Sequence, residues 1–188
     1  GGRNVREAVA RGAVAIVSES RIPEVPVPLV RVPDARVALA ELAAAWYDRP
    51  ADRLSLVGIT GSLGKTSVLT MLEAILANAE VRVGVIGSLG IHCGDLHRAT
   101  TLTTPDPMTV QSALAQFVAR SAEVCAMEVT SHALRQRRIH GLTFDLGIIT
   151  NVALLEHLDY HGSFRNYVRS KALLFRTLRP GAPVIYPA

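Results

Sequence analysis

The residues best placed to do chemistry in this sequence lie in one run, Gly58-Ile59-Thr60-Gly61-Ser62-Leu63-Gly64-Lys65-Thr66-Ser67. Glycines at this spacing let the backbone curl until consecutive N–H groups face an anion, and a helix beginning behind them adds its positive end. Lys65 is then positioned to reach the outer phosphates of a nucleotide, and the Thr66 hydroxyl to ligate an accompanying magnesium ion. The general pattern G-x-x-x-x-G-K-[ST] asks for glycine where Ile59 stands, so the match is to T-G-x-x-G-K-T. The competing reading is a glycine-rich turn that carries a surface lysine.

Other reactive side chains follow it along the chain. Glu128 closes the apolar run Val124-Cys125-Ala126-Met127; an ionised carboxylate in such company needs a cation, either an arginine or a magnesium ion. Thr130, Ser131 and His132 come next, and Arg135-Gln136-Arg137-Arg138 is either a solvated basic face or a holder of phosphate or carboxylate. Thr103-Thr104-Pro105-Asp106-Pro107 is turn chemistry ahead of a helix, its hydroxyls serving as caps or as ligand contacts. His157, Asp159 and His161 cluster after a strand end, as polar surface or as a metal or phosphate site. Lys171 falls on the apolar stripe Phe164, Val168, Phe175, Leu178 of a helix capped by Ser163, where a lysine either snorkels out or is paired or chemically altered.

These side chains need a scaffold that gathers them. Apolar strands at about 54–59, 81–86, 123–129, 145–149 and 183–186 alternate with helices near 66–78, 107–120 and 164–178, the pattern of an α/β fold with a mostly parallel sheet covered on both faces. Ligands on such sheets collect at the carboxyl ends of the strands, which is where Gly61, Glu128 and Thr150 fall. Before this unit, a short helix near 5–10, a strand at 13–17 and another at 29–32 precede a helix capped by Asp34, with Val37, Leu39, Ala40, Leu42, Ala43 and Trp46 as its packing face. The polar, proline-bearing break at 48–53 divides the chain into residues 1–50 and 51–188.

The 188 residues suffice for a real core, and a net charge of +4 suits an anionic ligand, but no block of lysine or arginine argues for nucleic acid. Cys93 and Cys125 are too far apart in sequence and too apolar in setting to suggest a disulfide framework or a zinc site, so a reducing cytoplasm is expected. No apolar run approaches membrane-spanning length. A chain opening on Gly1-Gly2 rather than methionine is expected to be a fragment.

Four motifs in order, Thr60-Gly61-Ser62-Leu63-Gly64-Lys65-Thr66, Thr103-Thr104-Pro105-Asp106-Pro107, Met127-Glu128-Val129-Thr130-Ser131-His132-Ala133-Leu134, and His157-Leu158-Asp159-Tyr160-His161-Gly162 followed by Lys171, make the sequence resemble the Mur ligases of bacterial peptidoglycan synthesis. The resemblance covers essentially the whole chain and is strongest to the member that adds the third residue to UDP-N-acetylmuramoyl-L-alanyl-D-glutamate. It implies a partial N-terminal muramoyl-binding domain over 1–50 and a partial central ATP-binding domain of the phosphate-loop type over 51–188. It implies ATP and Mg2+ as cofactors, with Gly61, Ser62, Leu63, Gly64, Lys65, Thr66 and Ser67 at the nucleotide and Thr66, Glu128, His157 and Lys171, the last as a carbamate, at the metals. Lys65, Lys171 and His157 take the catalytic roles, and Thr103, Thr104, Thr130, Gln136 and Arg138 contact the UDP-muramoyl-dipeptide. The expected partners are that nucleotide and an amino acid, with neither nucleic acid nor membrane, in a monomeric cytoplasmic enzyme. Leu63, Leu102, Thr130 and Glu156 depart from the family's usual residues, and one extra residue separates Asn151 from His157. Another Mur or folylpolyglutamate-type ligase, and a nucleotide-binding relative without catalysis, are the alternatives.

Overall fold

The structure, a computed structural model, describes residues 2–153 and 158–187. Helix α1 (Gly2–Ala10) leads into β1 (Ile16–Ser18) and β2 (Leu29–Arg31), which pair in parallel as a small sheet of their own. Helix α2 (Ala35–Trp46) begins where expected: the Asp34 carboxylate accepts from the N–H groups of Arg36 and Val37, satisfying donors that have no partner within the helix. Its packing face differs from the expected one. Ala40 and Ala43 are buried, whereas Trp46 is 78% exposed. In a helix this rich in apolar residues the sequence pattern leaves the inward direction ambiguous, and the small side chains allow the close approach.

A 3-10 turn at Pro50–Arg53 feeds the main sheet. Its strands are β3 (Ser55–Thr60), β4 (Val83–Gly87), β5 (Gly90–Cys93), β6 (Leu96–Arg98), β7 (Val124–Glu128), β8 (Leu146–Ile149) and β9 (Val184–Ile185), in the order β6-β5-β4-β7-β3-β8-β9. The five strands β4, β7, β3, β8 and β9 are parallel, and the β5–β6 hairpin adds two antiparallel strands at one edge. That hairpin is absent from the sequence expectation. Its residues Gly90-Ile91-His92-Cys93-Gly94-Asp95-Leu96-His97-Arg98 are too polar and too short to show strand alternation, and pairing with β4 rather than propensity makes them strands.

The near-continuous apolar character of β3, β4 and β7 follows from cover on both faces. Helix α3 (Lys65–Asn78) lies on one side, sharing a cluster with Val57, Ile59, Val83, Val85, Ala126 and Ile148 through Leu69. On the other side Leu56, Ile86 and Met127 meet Val110, Leu114 and Phe117 of helix α4 (Pro107–Ala119), as well as Phe144 and Leu174. Phe117 fits only because residue 84 is glycine: a Cβ there would stand 2.3 Å from its ring. Beyond β7 and β8 come α5 (Ser131–Arg135), α6 (Leu158–His161) and α7 (Phe164–Ala172). The expected helix over 164–178 breaks at Leu173 into a 3-10 turn, after which Leu178 leaves helical geometry to bridge Phe144 alongside the sheet. The parallel register brings Thr60, Gly87, Glu128 and Ile149, the last residues of β3, β4, β7 and β8, to one edge.

Candidate functional site

The chain turns out of β3 at that edge through Gly61 to Gly64 and enters α3 at Lys65. Gly61 and Gly64 both take positive φ, 152° and 78°, and only glycine fits the first of them, since a Cβ on residue 61 would come 1.8 Å from Thr150 Oγ1. The Lys65 ammonium folds back over the loop and donates to the carbonyls of Gly61 (2.9 Å) and Ser62 (2.8 Å). The opening N–H groups of α3 have no intrahelical acceptor, which makes this helix start a seat for an anion. Ser62 and Leu63 differ from the simplest phosphate-loop picture: their N–H groups donate to Asn151, just past β8.

Glu128 is 1% exposed. Its Oε1 accepts from Thr66 Oγ1 (3.0 Å) and from the Ser88 N–H (2.9 Å), and its Oε2 from Ser88 Oγ (3.3 Å). Among the described residues no arginine pairs with it, so the arginine reading does not hold; what the structure shows instead is a carboxylate held by two hydroxyls and an amide N–H. Gly87 is required beside it, because a Cβ there would lie 2.6 Å from Glu128 Oε1. Ser88 was not among the residues that the sequence singles out. Its position directly after the apolar strand 83–87 is the signal that would have found it.

The threonine pair proves structural as well as surface-lining. Thr104 is fully buried, donates to the Glu128 carbonyl (2.8 Å), and accepts from the Thr130 N–H (3.1 Å), tying the two strand-end loops together. Thr103 Oγ1 lies 3.2 Å from Ser88 Oγ, sharing with Glu128 Oε2 the single proton of that hydroxyl. The caps are elsewhere: Thr130 caps α5 through the Ala133 N–H, and Asp106 caps α4 through the Thr109 N–H. Burial opposes the charge on Asp106, but hydrogen bonds from the Thr109 hydroxyl and N–H outweigh it and hold the carboxyl below its ordinary range. Arg138 reaches in from beyond α5, with Nη1 on the Thr104 carbonyl (2.7 Å) and Nε and Nη2 on Gln136 Oε1 (3.0 and 2.6 Å).

Lys171 does not snorkel. It is 3% exposed, donates to the Gly61 carbonyl at 2.6 Å, and stands 4.5 Å from the centroid of the Tyr167 ring, one helical turn earlier. The Tyr167 hydroxyl is 2.8 Å from Ser62 Oγ, so α7 grips the loop through two successive turns. His161 is buried between Ser131 Oγ (3.0 Å) and Ser170 Oγ (3.2 Å), which accounts for it as a packing histidine. His157 lies outside the described residues.

One cleft of about 460 Å³ therefore collects Ser62, Leu63, Gly64, Lys65, Thr66, Ser88, Leu102, Thr103, Thr104, Glu128, Thr130, His132 and Arg138. Of the expected site residues, Gly61, Ser67, Gln136 and Lys171 do not line it but touch or adjoin residues that do. A roomier cleft of about 560 Å³ against α1 carries only Arg6 and Glu24 as charged groups and none of the predicted residues. The selected cleft combines a cationic loop, a buried carboxylate and hydroxyls, the equipment for an anionic ligand with a hard metal ion.

The sequence model of the Mur ligase middle domain matches residues 59–188. The chain belongs to the Mur ligase family. It is 45% identical over 172 residues to the UDP-N-acetylmuramoyl-L-alanyl-D-glutamate--2,6-diaminopimelate ligase of Geobacillus kaustophilus, covering 92% of this chain and 35% of that protein. Against the ligase of the same name from Coxiella burnetii the identity is 44%, over 76% of this chain and 29% of that protein. A solved structure of a ligase so named superposes with a TM-score of 0.81 at 27% identity, over 93% of this chain and 36% of the other. Mycobacterium tuberculosis folylpolyglutamate synthase, solved with ADP and AMPPCP, shares the fold at a TM-score of 0.64 and 17% identity, over 82% and 41% of the two chains. This Mur ligase segment thus spans about a third of the length of the relatives it matches. No helix among its described residues is long and apolar enough to cross a membrane.

Proposed function

We propose that this chain carries the nucleotide site of an ATP-dependent ligase that adds the third amino acid to UDP-N-acetylmuramoyl-L-alanyl-D-glutamate in peptidoglycan synthesis. The observation that carries the reading is the convergence of Lys65, Thr66, Glu128, Thr104, Thr130 and Arg138 on one cleft. The reaction is amide formation through an acyl phosphate: the γ-phosphate passes to the D-glutamyl carboxylate, and the amino group of the incoming residue displaces it. Every reacting oxygen is anionic, so catalysis amounts to neutralising and positioning charge.

In this assignment Gly61 to Ser67 hold the triphosphate, with Lys65 turning from the loop carbonyls to the outer phosphates. Glu128 and Thr66 form a set of hard oxygen donors that suits magnesium, together with His157 and Lys171 as its carbamate. A magnesium ion held by these residues would help neutralise the phosphate charge. Carbamylation would replace the Lys171 ammonium by an anion that keeps one N–H and gains two acceptor oxygens, so the side chain could then offer oxygens to a metal. Thr103, Thr104, Thr130, Gln136 and Arg138 are assigned to the UDP-muramoyl-dipeptide, with Arg138 offering a planar cation to its anionic groups. Residues 1–50 belong with the muramoyl-binding domain and 51–188 with the ATP domain, in a monomeric, cytoplasmic enzyme.

The Geobacillus kaustophilus and Coxiella burnetii relatives are named for 2,6-diaminopimelate, which makes it the first amino acid to supply. The test is phosphate release by the full-length protein with ATP, magnesium, UDP-muramoyl-dipeptide and a panel of amino acids. Release that requires both the dipeptide and one amino acid is expected. Tight ATP binding with no release under any amino acid would replace this reading with a nucleotide-binding module that has no ligase activity.

A further inference from the structure

The phosphate loop is held from beneath by a residue to which neither its motif nor the cleft assigns a role. Asn151 follows β8, the strand that pairs with β3 in register Thr60↔Ile149. The Ser62 N–H lies 3.2 Å from Asn151 Oδ1 and 3.0 Å from its backbone carbonyl, the Leu63 N–H lies 2.9 Å from Oδ1, and Nδ2 donates to the Leu63 carbonyl at 3.0 Å. The amide side chain has one assignment consistent with these partners, since two N–H groups require an acceptor and a carbonyl requires a donor. Thr150 Oγ1 adds a bond to the Leu63 carbonyl at 2.6 Å, and its N–H donates to the Thr60 carbonyl at 2.9 Å.

We propose that Asn151 is a positioning residue for nucleotide binding: by taking up the N–H groups of Ser62 and Leu63 and the carbonyl between them and Gly64, it fixes the loop so that the N–H groups at the start of α3 face the triphosphate. The proposal rests on the ligase reading only for the identity of the nucleotide. A loop with two glycine hinges three residues apart, Gly61 and Gly64, has little intrinsic reason to hold one shape, and a cradle for phosphates works by being preorganised. The amide spans a donor and an acceptor at once. Aspartate keeps the acceptor, loses the donor and sets a negative charge under the incoming phosphates; alanine loses all three side-chain bonds.

The experiment uses the full-length protein and measures three quantities for the wild type, Asn151→Ala and Asn151→Asp: amide hydrogen exchange over residues 61–64 without nucleotide, the Kd for Mg-ATP, and the Kd for UDP-muramoyl-dipeptide. In Asn151→Ala, loop exchange is expected to accelerate and the ATP Kd to rise at least about tenfold, the loss expected of two or more net hydrogen bonds, with dipeptide affinity unchanged. Asn151→Asp keeps slow exchange at Ser62 and Leu63, which controls for folding, yet binds ATP more weakly than wild type. Unchanged exchange in Asn151→Ala, or faster exchange with unchanged ATP affinity, overturns the positioning role. A wild type that shows the protected loop but binds no nucleotide overturns the ligase reading, and with it a role for the clamp in ATP binding, while leaving the clamp itself demonstrated.

Discussion

Glu128 and Lys171 are both buried, at 1% and 3% exposure, and they meet the two ends of the same loop, Glu128 at Thr66 and Lys171 at Gly61. Their surroundings differ in kind. Glu128 hangs from the end of a central strand, and its three contacts are hydroxyl and N–H donors that favour an anion while leaving its charge to be met by a cation. Lys171 extends from a peripheral helix to a backbone carbonyl and an aromatic face, both of which suit a cation. One side chain is therefore an anion held by neutral donors where it lines the cleft, and the other is a cation held by the loop carbonyl and an aromatic ring.

The contrast predicts different costs for removing each charge. Glu128→Gln keeps the shape and an acceptor for Thr66, so turnover of the full-length enzyme should fall by about 10²–10³-fold, the scale for losing one preorganised electrostatic partner. Its melting temperature should hold or rise, because a desolvated carboxylate has been removed. Lys171→Met should lose comparable activity and, relative to the uncarbamylated lysine, also destabilise the fold by about 1–2 kcal/mol, from a lost hydrogen bond and a lost cation–π contact. Urea titration of both variants beside steady-state rates checks this. Equal losses of stability would erase the distinction between the two sites.

Both residues were visible in the sequence because each breaks the pattern of its own element: a carboxylate closing an apolar strand, a lysine in phase with an apolar helical stripe. The glycine loop was visible for the complementary reason, since strand, turn and helix agree around it. What the sequence does not reveal are partners fixed by strand order. Ser88 meets Glu128 because β4 lies beside β7, and Asn151 meets Ser62 because β8 lies beside β3; neither adjacency follows from chain order. Thr103 and Thr104 resembled caps because the turn and the helix start were legible, but the burial of Thr104 under the 130s loop was not. Trp46 misled for a local reason, as an apolar residue on a helix whose alanines pack instead.

A smaller effect separates the two things Tyr167 gives to the lysine side. Tyr167→Phe removes the 2.8 Å bond to Ser62 Oγ but keeps the ring beside Lys171. Ser62 Oγ still accepts from the Ala153 N–H at 2.8 Å, so the loop keeps one tie there. The expected cost is about 1 kcal/mol of stability, one net hydrogen bond, with the KM for ATP rising roughly two- to fivefold by the same measure. A loss of turnover as deep as that of Lys171→Met would mean that the phenol, and not the ring, keeps the lysine in place.

The smallest effect is expected at Ser88, on the carboxylate side. Its hydroxyl makes two long bonds, to Glu128 Oε2 (3.3 Å) and Thr103 Oγ1 (3.2 Å), whereas its N–H makes a shorter one to Oε1 (2.9 Å) that no side-chain substitution removes. Bonds at the long end of the range contribute little, so Ser88→Ala should cost about twofold in turnover, less than one net hydrogen bond. The effect should fall on the KM for the UDP-muramoyl-dipeptide rather than for ATP, since Thr103 is the partner left without its donor and belongs to the proposed dipeptide contacts. If Ser88→Ala instead matched Glu128→Gln in turnover, the Glu128 carboxylate would depend on that hydroxyl for its position. The strand end would then hold its charge through side chains, much as the helix holds Lys171, and the difference between the two buried groups would be one of sign alone.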